Sequence, residues 1–192
     1  MEKTLFAAGE MSEAQKPGYG SVAMSLHWLI VVLLVVQFVV AWCMPEIHRG
    51  VVPETLINLH MSFGVMIMPV VILRLLWRLR HPVPLVGDSA PIWQQMAAHA
   101  THGLLYLLLL VLPVLGWASA SARDWPVSLF GTVTLPQLLS PNPGIGSQVG
   151  DVHTALSWVL LALIWLHVVA SLYHYFILRD RVLQRMLPNG GS

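Results

Sequence analysis

Four long apolar stretches, separated by polar or Pro/Gly-rich segments, set the plan of this chain. They run from about Ser25 to Met44, Leu56 to Trp77, Met96 to Ala118 and His153 to Leu178. A bilayer hydrocarbon core about 30 Å thick needs about 20 residues of helix, and each stretch reaches that length. None has the alternation of a barrel strand, and only helices and closed barrels satisfy the backbone in lipid. The pattern predicts an all-α membrane protein, a four-transmembrane-helix bundle. Pro69 and Pro113 fall inside the second and third spans, where neighbouring helices can satisfy the carbonyls they free. The bundle domain is expected over 21–178, with an N-terminal tail at 1–20 and a C-terminal tail at 179–192.

Positive charge orients the bundle. Lys3 and Lys16, then Arg74, Arg78 and Arg80, then Arg179, Arg181 and Arg185 all fall on one side. Only Arg49 and Arg123 fall on the other. Cytoplasmic segments carry the Lys/Arg excess, so both termini are predicted to be cytoplasmic.

Composition agrees with the pattern. The chain is 56% hydrophobic and 10% charged, whereas a soluble domain carries about 25% charged residues. A net charge of +1 gives no reason to expect a nucleic-acid partner. The single cysteine, Cys43, excludes an internal disulfide framework. Without a C-x-x-C-H motif, any haem would be held non-covalently. The first twenty residues lack the apolar stretch of a cleavable signal peptide, so the first span reads as a helix that stays.

Nine histidines in so apolar a chain are the candidate chemistry, because an ionisable residue within a membrane span is a functional-site hypothesis by default. Neutral imidazole is a good iron ligand, and bis-His haem ligation takes one histidine from each of two facing helices. His153 and His167 are fourteen residues apart on the fourth span. At 3.6 residues per turn they share nearly one face, and at 1.5 Å per residue they lie about 21 Å apart along the axis. With the predicted orientation, His27 lies low with His167, and His60 lies high with His153. Two complete axial pairs result: His27 with His167, and His60 with His153. Arg74 follows His60 by the same fourteen residues. It reads either as a cation for the haem carboxylates or as an interfacial positive-inside arginine. Gly64, one turn after His60, would let a flat macrocycle approach the backbone, although small residues are equally common at membrane helix contacts.

Other residues compete for roles. His99 and His102 form an H-x-x-H pair at the start of the third span. They stand as contacts for a propionate or a quinone, or as replacements for one of the four ligands. His174, within Tyr173-His174-Tyr175-Phe176, could line a quinone pocket or belong to an interfacial aromatic belt. His48 and His81 read as solvated loop residues. Trp158 and Trp165 lie deep in the fourth span, where they could pack on a macrocycle. The remaining tryptophans cluster near span ends.

Taken as an ordered set, these segments resemble the prokaryotic cytochrome b561 family. The matching features begin with Ser25-Leu26-His27-Trp28, Asn58-Leu59-His60-Met61-Ser62-Phe63-Gly64 and Arg74-Leu75-Leu76-Trp77-Arg78. They continue with Ala98-His99-Ala100-Thr101-His102, Leu112-Pro113-Val114-Leu115-Gly116, then His153 and His167 at the family's spacing, and Tyr173-His174-Tyr175-Phe176. The resemblance spans about residues 18–188. It implies a di-haem b-type cytochrome of the bacterial inner membrane, with two non-covalent haem b groups ligated by His27, His60, His153 and His167. It also implies single-electron exchange with the quinone pool, opposite a small periplasmic donor or acceptor such as superoxide. Membrane lipid surrounds the protein in this reading; a second copy and a redox partner subunit stand open as protein partners. Two other functions remain open at this point. One is a cytochrome b anchor subunit of a larger dehydrogenase or hydrogenase. The other is a haem-free, histidine-based metal or proton transporter.

Overall fold

A computed structural model of the chain describes residues 20–48, 50–82, 91–179 and 183–186. The tail 1–19, Arg49, most of the second connection and most of the tail beyond 179 lie outside the described residues. So do the basic residues Lys3, Lys16 and Arg181 on which part of the orientation rests.

Four helices long and apolar enough to cross a membrane make up the described structure. They are α1 (Ser21–Cys43), α2 (Thr55–Arg80), α3 (Ile92–Ala122) and α4 (Pro143–Tyr173). Close packing links α1 to α2, α2 to α3 and α3 to α4. The end of α2 meets the start of α1, where Arg74 donates a hydrogen bond to the Ala23 carbonyl. Consecutive helices packed as neighbours give the up-down-up-down bundle that the four spans predict.

The core is a narrow seam. Ile30 and Leu33 of α1, Ile67 and Val71 of α2, Leu108, Leu109 and Leu112 of α3, and Leu160 of α4 are buried together. The outward faces are equally apolar; Val32, Val35 and Val39 of α1 are exposed. That all-round apolarity suits helices whose outer solvent is lipid rather than water. Trp158 and Trp165 belong to this outer face, at 58% and 63% exposure. Their predicted packing on an internal macrocycle is therefore not seen; α4 turns both rings away from the bundle.

All four helices are longer than the apolar stretches suggest, α3 and α4 by the most. α4 begins ten residues earlier, at Pro143, because Asn142 caps it. The Asn142 side chain accepts from the backbone N–H groups of Gly144 and Ile145, and proline occupies the first helical position, where its missing N–H costs nothing. The first turns of α4 are too polar to register as a span. Small residues let them pack on the end of α3, where Ser119, Ala120, Ser121 and Ala122 are buried. Ser119 Oγ donates to the Gly146 carbonyl at 2.7 Å.

Between α3 and α4, the strands β1 (Ser128–Leu129) and β2 (Val133–Thr134) form a small antiparallel hairpin. Buried Ser62 of α2 holds it in place. Its hydroxyl donates toward Asn58 O and Ser128 O, and accepts from the backbone N–H of Phe130. At the far end, α4 runs on as a π-helical turn over His174–Leu178, and Arg179 closes it in the left-handed region.

Candidate functional site

The bundle brings the four span histidines together as two pairs at two levels. The ring of His27, near the start of α1, lies 6.4 Å from that of His167, with planes 74° apart. The ring of His60, near the start of α2, lies 6.1 Å from that of His153, with planes 78° apart. An imidazole nitrogen binds a transition metal at about 2.0 Å and stands about 1.1 Å from its own ring centre. Two ligands on opposite sides of one iron therefore have centres about 6 Å apart. Both pairs meet that spacing. No cluster of three or more metal-ligating side chains occurs among the described residues. Pairs are what a porphyrin leaves for a protein to supply, since its own four nitrogens fill the other positions.

At the first level, His153 Nδ1 donates to the Leu112 carbonyl of α3 at 3.0 Å. That bond fixes the tautomer and leaves Nε2 with a lone pair for a metal. Gly116 makes room for it, since a Cβ there would stand 3.3 Å from His153 Cε1. His60 is held differently. Gln37 of α1 donates from Nε2 to the His60 carbonyl at 3.1 Å and to His60 Nε2 at 3.2 Å. The ring nitrogen can only accept there, so the His60 proton is on Nδ1. That Nδ1 is buried without a partner, as is Gln37 Oε1. A cavity of about 890 Å³ opens beside this level, lined among others by Leu59, Ser62, Arg123, Trp125 and Phe130. Arg123 also lies over the Trp125 ring, 5.5 Å from its centre.

At the second level, Arg74 is close enough to act electrostatically on His27, His167 and His102. It therefore stands at the level of these three histidines as well as near the end of α2. His102 is the unexpected neighbour, its ring only 5.1 Å from that of His167. This is about 1 Å short of the spacing for two ligands facing across an iron. Its Nδ1 is bonded to the Ala98 carbonyl of its own helix at 2.7 Å. His99 is exposed and bonded to the Gln95 carbonyl, so the two rings of the H-x-x-H pair differ in environment. His174 opens the π-helical turn with its ring edge-on to Tyr173. His48 and His81 are exposed; the first bonds the Glu46 carbonyl, and the second stacks on Trp77 at 4.2 Å. Gly64 faces Gln37, whose Nε2 would be 3.4 Å from a Cβ there, so its room serves the amide.

Sequence reasoning passed over Gln37 and Gly116 as site residues. The signal for Gln37 was present: it is the only amide in an otherwise apolar run of α1. Nothing local marked Gly116 as a neighbour of His153, which lies on another helix.

The sequence is similar to those of known proteins. A family profile described as prokaryotic cytochrome b561 matches residues 18–189. The chain is 30% identical to "Cytochrome b561 homolog 2" of Escherichia coli (strain K12), over 91% of this chain and 93% of that protein. It is 30% identical to "Probable superoxide oxidase CybB" of Yersinia pestis, over 88% and 96% respectively. It is 28% identical to "Cytochrome b562" of Cereibacter sphaeroides, over 90% and 97%.

Proposed function

The chain belongs to the prokaryotic cytochrome b561 family, membrane b-type cytochromes of electron transfer, and on that premise we propose that it is a di-haem cytochrome carrying single electrons across the bacterial inner membrane. The observation that carries this reading is the pair of cross-helix histidine contacts, at 6.4 and 6.1 Å.

His27 and His167 hold one haem b in this proposal, and His60 and His153 hold the other. When bound, the haems supply a one-electron ferric/ferrous couple. The protein's part is to hold and surround that couple. α4 sets the separation of the two levels through the fourteen residues between its histidines, about 21 Å. The Leu112 carbonyl keeps His153 in the tautomer that presents Nε2. Arg74 offers a guanidinium to a buried carboxylate at the His27–His167 level, where an unpaired anion would be costly. The cavity beside Ser62 and Arg123 lets a small periplasmic donor approach the His60–His153 level. The likeness to a protein named as a probable superoxide oxidase makes superoxide the first donor to try. At the opposite level the quinone pool exchanges the electron, with His102 and His174 as candidate contacts. With both termini cytoplasmic, the His27–His167 level faces the cytoplasm.

The test is haem stoichiometry. Purified protein should show a reduced-minus-oxidised b-type spectrum with two haems per chain. His→Ala at His27, His60, His153 or His167 should each remove one. The pairing fails if His102→Ala removes a haem while His27→Ala keeps both.

A further inference from the structure

From Trp28 to Met44, Gln37 is the only residue with an amide, a hydroxyl or a charge. Placing a carboxamide in that position is unfavourable unless its groups are bonded. Its two bonds both go to one residue, His60: one to the backbone carbonyl and one to the ring nitrogen. An amide serving only as glue between α1 and α2 would need the carbonyl bond alone. The contact with the ring is the additional fact.

We infer that Gln37 is a positioning residue for His60, orienting its ring and tuning the potential of the haem at the His60–His153 level. This inference rests on the di-haem reading. The carbonyl bond anchors the amide beside the ring whatever the ring nitrogen does. Were His60 to hold the haem through Nε2, the nitrogen that Gln37 contacts, His60 Nδ1–H would be the donor in need of an acceptor. The acceptor left in need of a donor is Gln37 Oε1, on the same carboxamide. An acceptor on the distal N–H makes a ligating imidazole more basic, which favours ferric over ferrous iron and lowers the potential. Gly64 leaves the amide room to turn, with no side chain at the 3.4 Å position. His153 already has its acceptor in Leu112 O, so a bond from His60 Nδ1–H to Gln37 Oε1 would complete the corresponding arrangement on the facing histidine.

The experiment is a redox titration of the purified di-haem protein and its Gln37→Met variant, followed by absorbance and electron paramagnetic resonance. The His60-ligated haem is identified as the signal missing from His60→Ala. In Gln37→Met both haems should remain. The identified haem should rise in potential by roughly a tenfold change in its ferric/ferrous ratio, 59 mV for one electron. The other haem should titrate as in the wild type. Two unchanged potentials, or a shift in the other haem, would overturn the inference. Should Gln37→Met lose haem, the near-isosteric pair Gln37→Asn and Gln37→Leu decides. More haem retained by Asn at the His60 level supports positioning, and equal loss overturns it. A wild-type protein without two b-type signals would remove the di-haem reading itself.

Discussion

His153 Nδ1 bonds the carbonyl of Leu112 at 3.0 Å, across the interface of α3 and α4. One edge of the ring is thereby tied to a backbone atom, and the ring centre lies 6.1 Å from that of His60. Gly116 sits one turn beyond Leu112, and its missing side chain is what lets the ring lie against α3.

Gly116→Ala tests that contact. The new Cβ would meet His153 Cε1 at 3.3 Å and Nδ1 at 3.5 Å, so the ring must yield by a few tenths of an ångström. Overpacking of this kind costs about 1–3 kcal/mol. The expected result is a lower haem occupancy at the His60–His153 level alone, read by pyridine haemochrome assay and by the spectrum of the remaining haem. An unchanged occupancy and spectrum would mean that the ring does not depend on the close approach.

Arg74→Gln tests the electrostatics of the other level. A nearby positive charge favours the reduced, less positive form of a haem, so removing it lowers the potential. At a separation on the order of 10 Å and an effective dielectric of about 20, one charge is worth roughly 1.7 kcal/mol, or roughly 70 mV for one electron. Potentiometry should find the His27–His167 haem lower by about that amount and the other little changed. Equal shifts in both haems would contradict the assignment of Arg74 to one level.

Ser62→Ala tests the tie between α2 and the hairpin. The lost hydroxyl leaves the Phe130 N–H without its acceptor and removes a donor from Ser128 O. A buried group left unsatisfied costs about 1–3 kcal/mol. Hydrogen exchange of the amides in 128–134 should accelerate by about one to two orders of magnitude, with haem content retained. Unchanged exchange there would place the anchor of the hairpin elsewhere.

Gly146→Ala tests the join of α3 to α4. A Cβ there would stand 2.8 Å from Arg123 Cγ, 3.2 Å from the Ser119 carbonyl oxygen and 3.3 Å from the Ala122 carbonyl carbon. Two of those atoms are backbone and cannot swing aside, so the helices must separate. The variant should melt at a lower temperature in detergent by several degrees, consistent with a loss of about 1–3 kcal/mol. Gly103→Ala, with nothing within 4 Å of its Cβ, is the control that should melt as the wild type.

The sequence by itself determined the four spans, because lipid selects for apolar length and apolar length is a local property of the chain. It also set the levels of His153 and His167, since helical rise and rotation follow from spacing alone. What it left hidden depended on neighbours. The start of α4 at Pro143 rests on an asparagine cap in a polar segment. The hairpin rests on Ser62, sixty-six residues before the carbonyl of Ser128 that it bonds. The partners of the site histidines were decided only in three dimensions: Gln37 beside His60, the Leu112 carbonyl beside His153, and His102 beside His167. Trp158 and Trp165 were misplaced for another reason: at 100° per residue they lie about 140° and 120° round α4 from His153, and depth alone was read. Hydropathy records what each helix needs from the bilayer; which atom meets which ring depends on what the adjacent helix presents at the same depth.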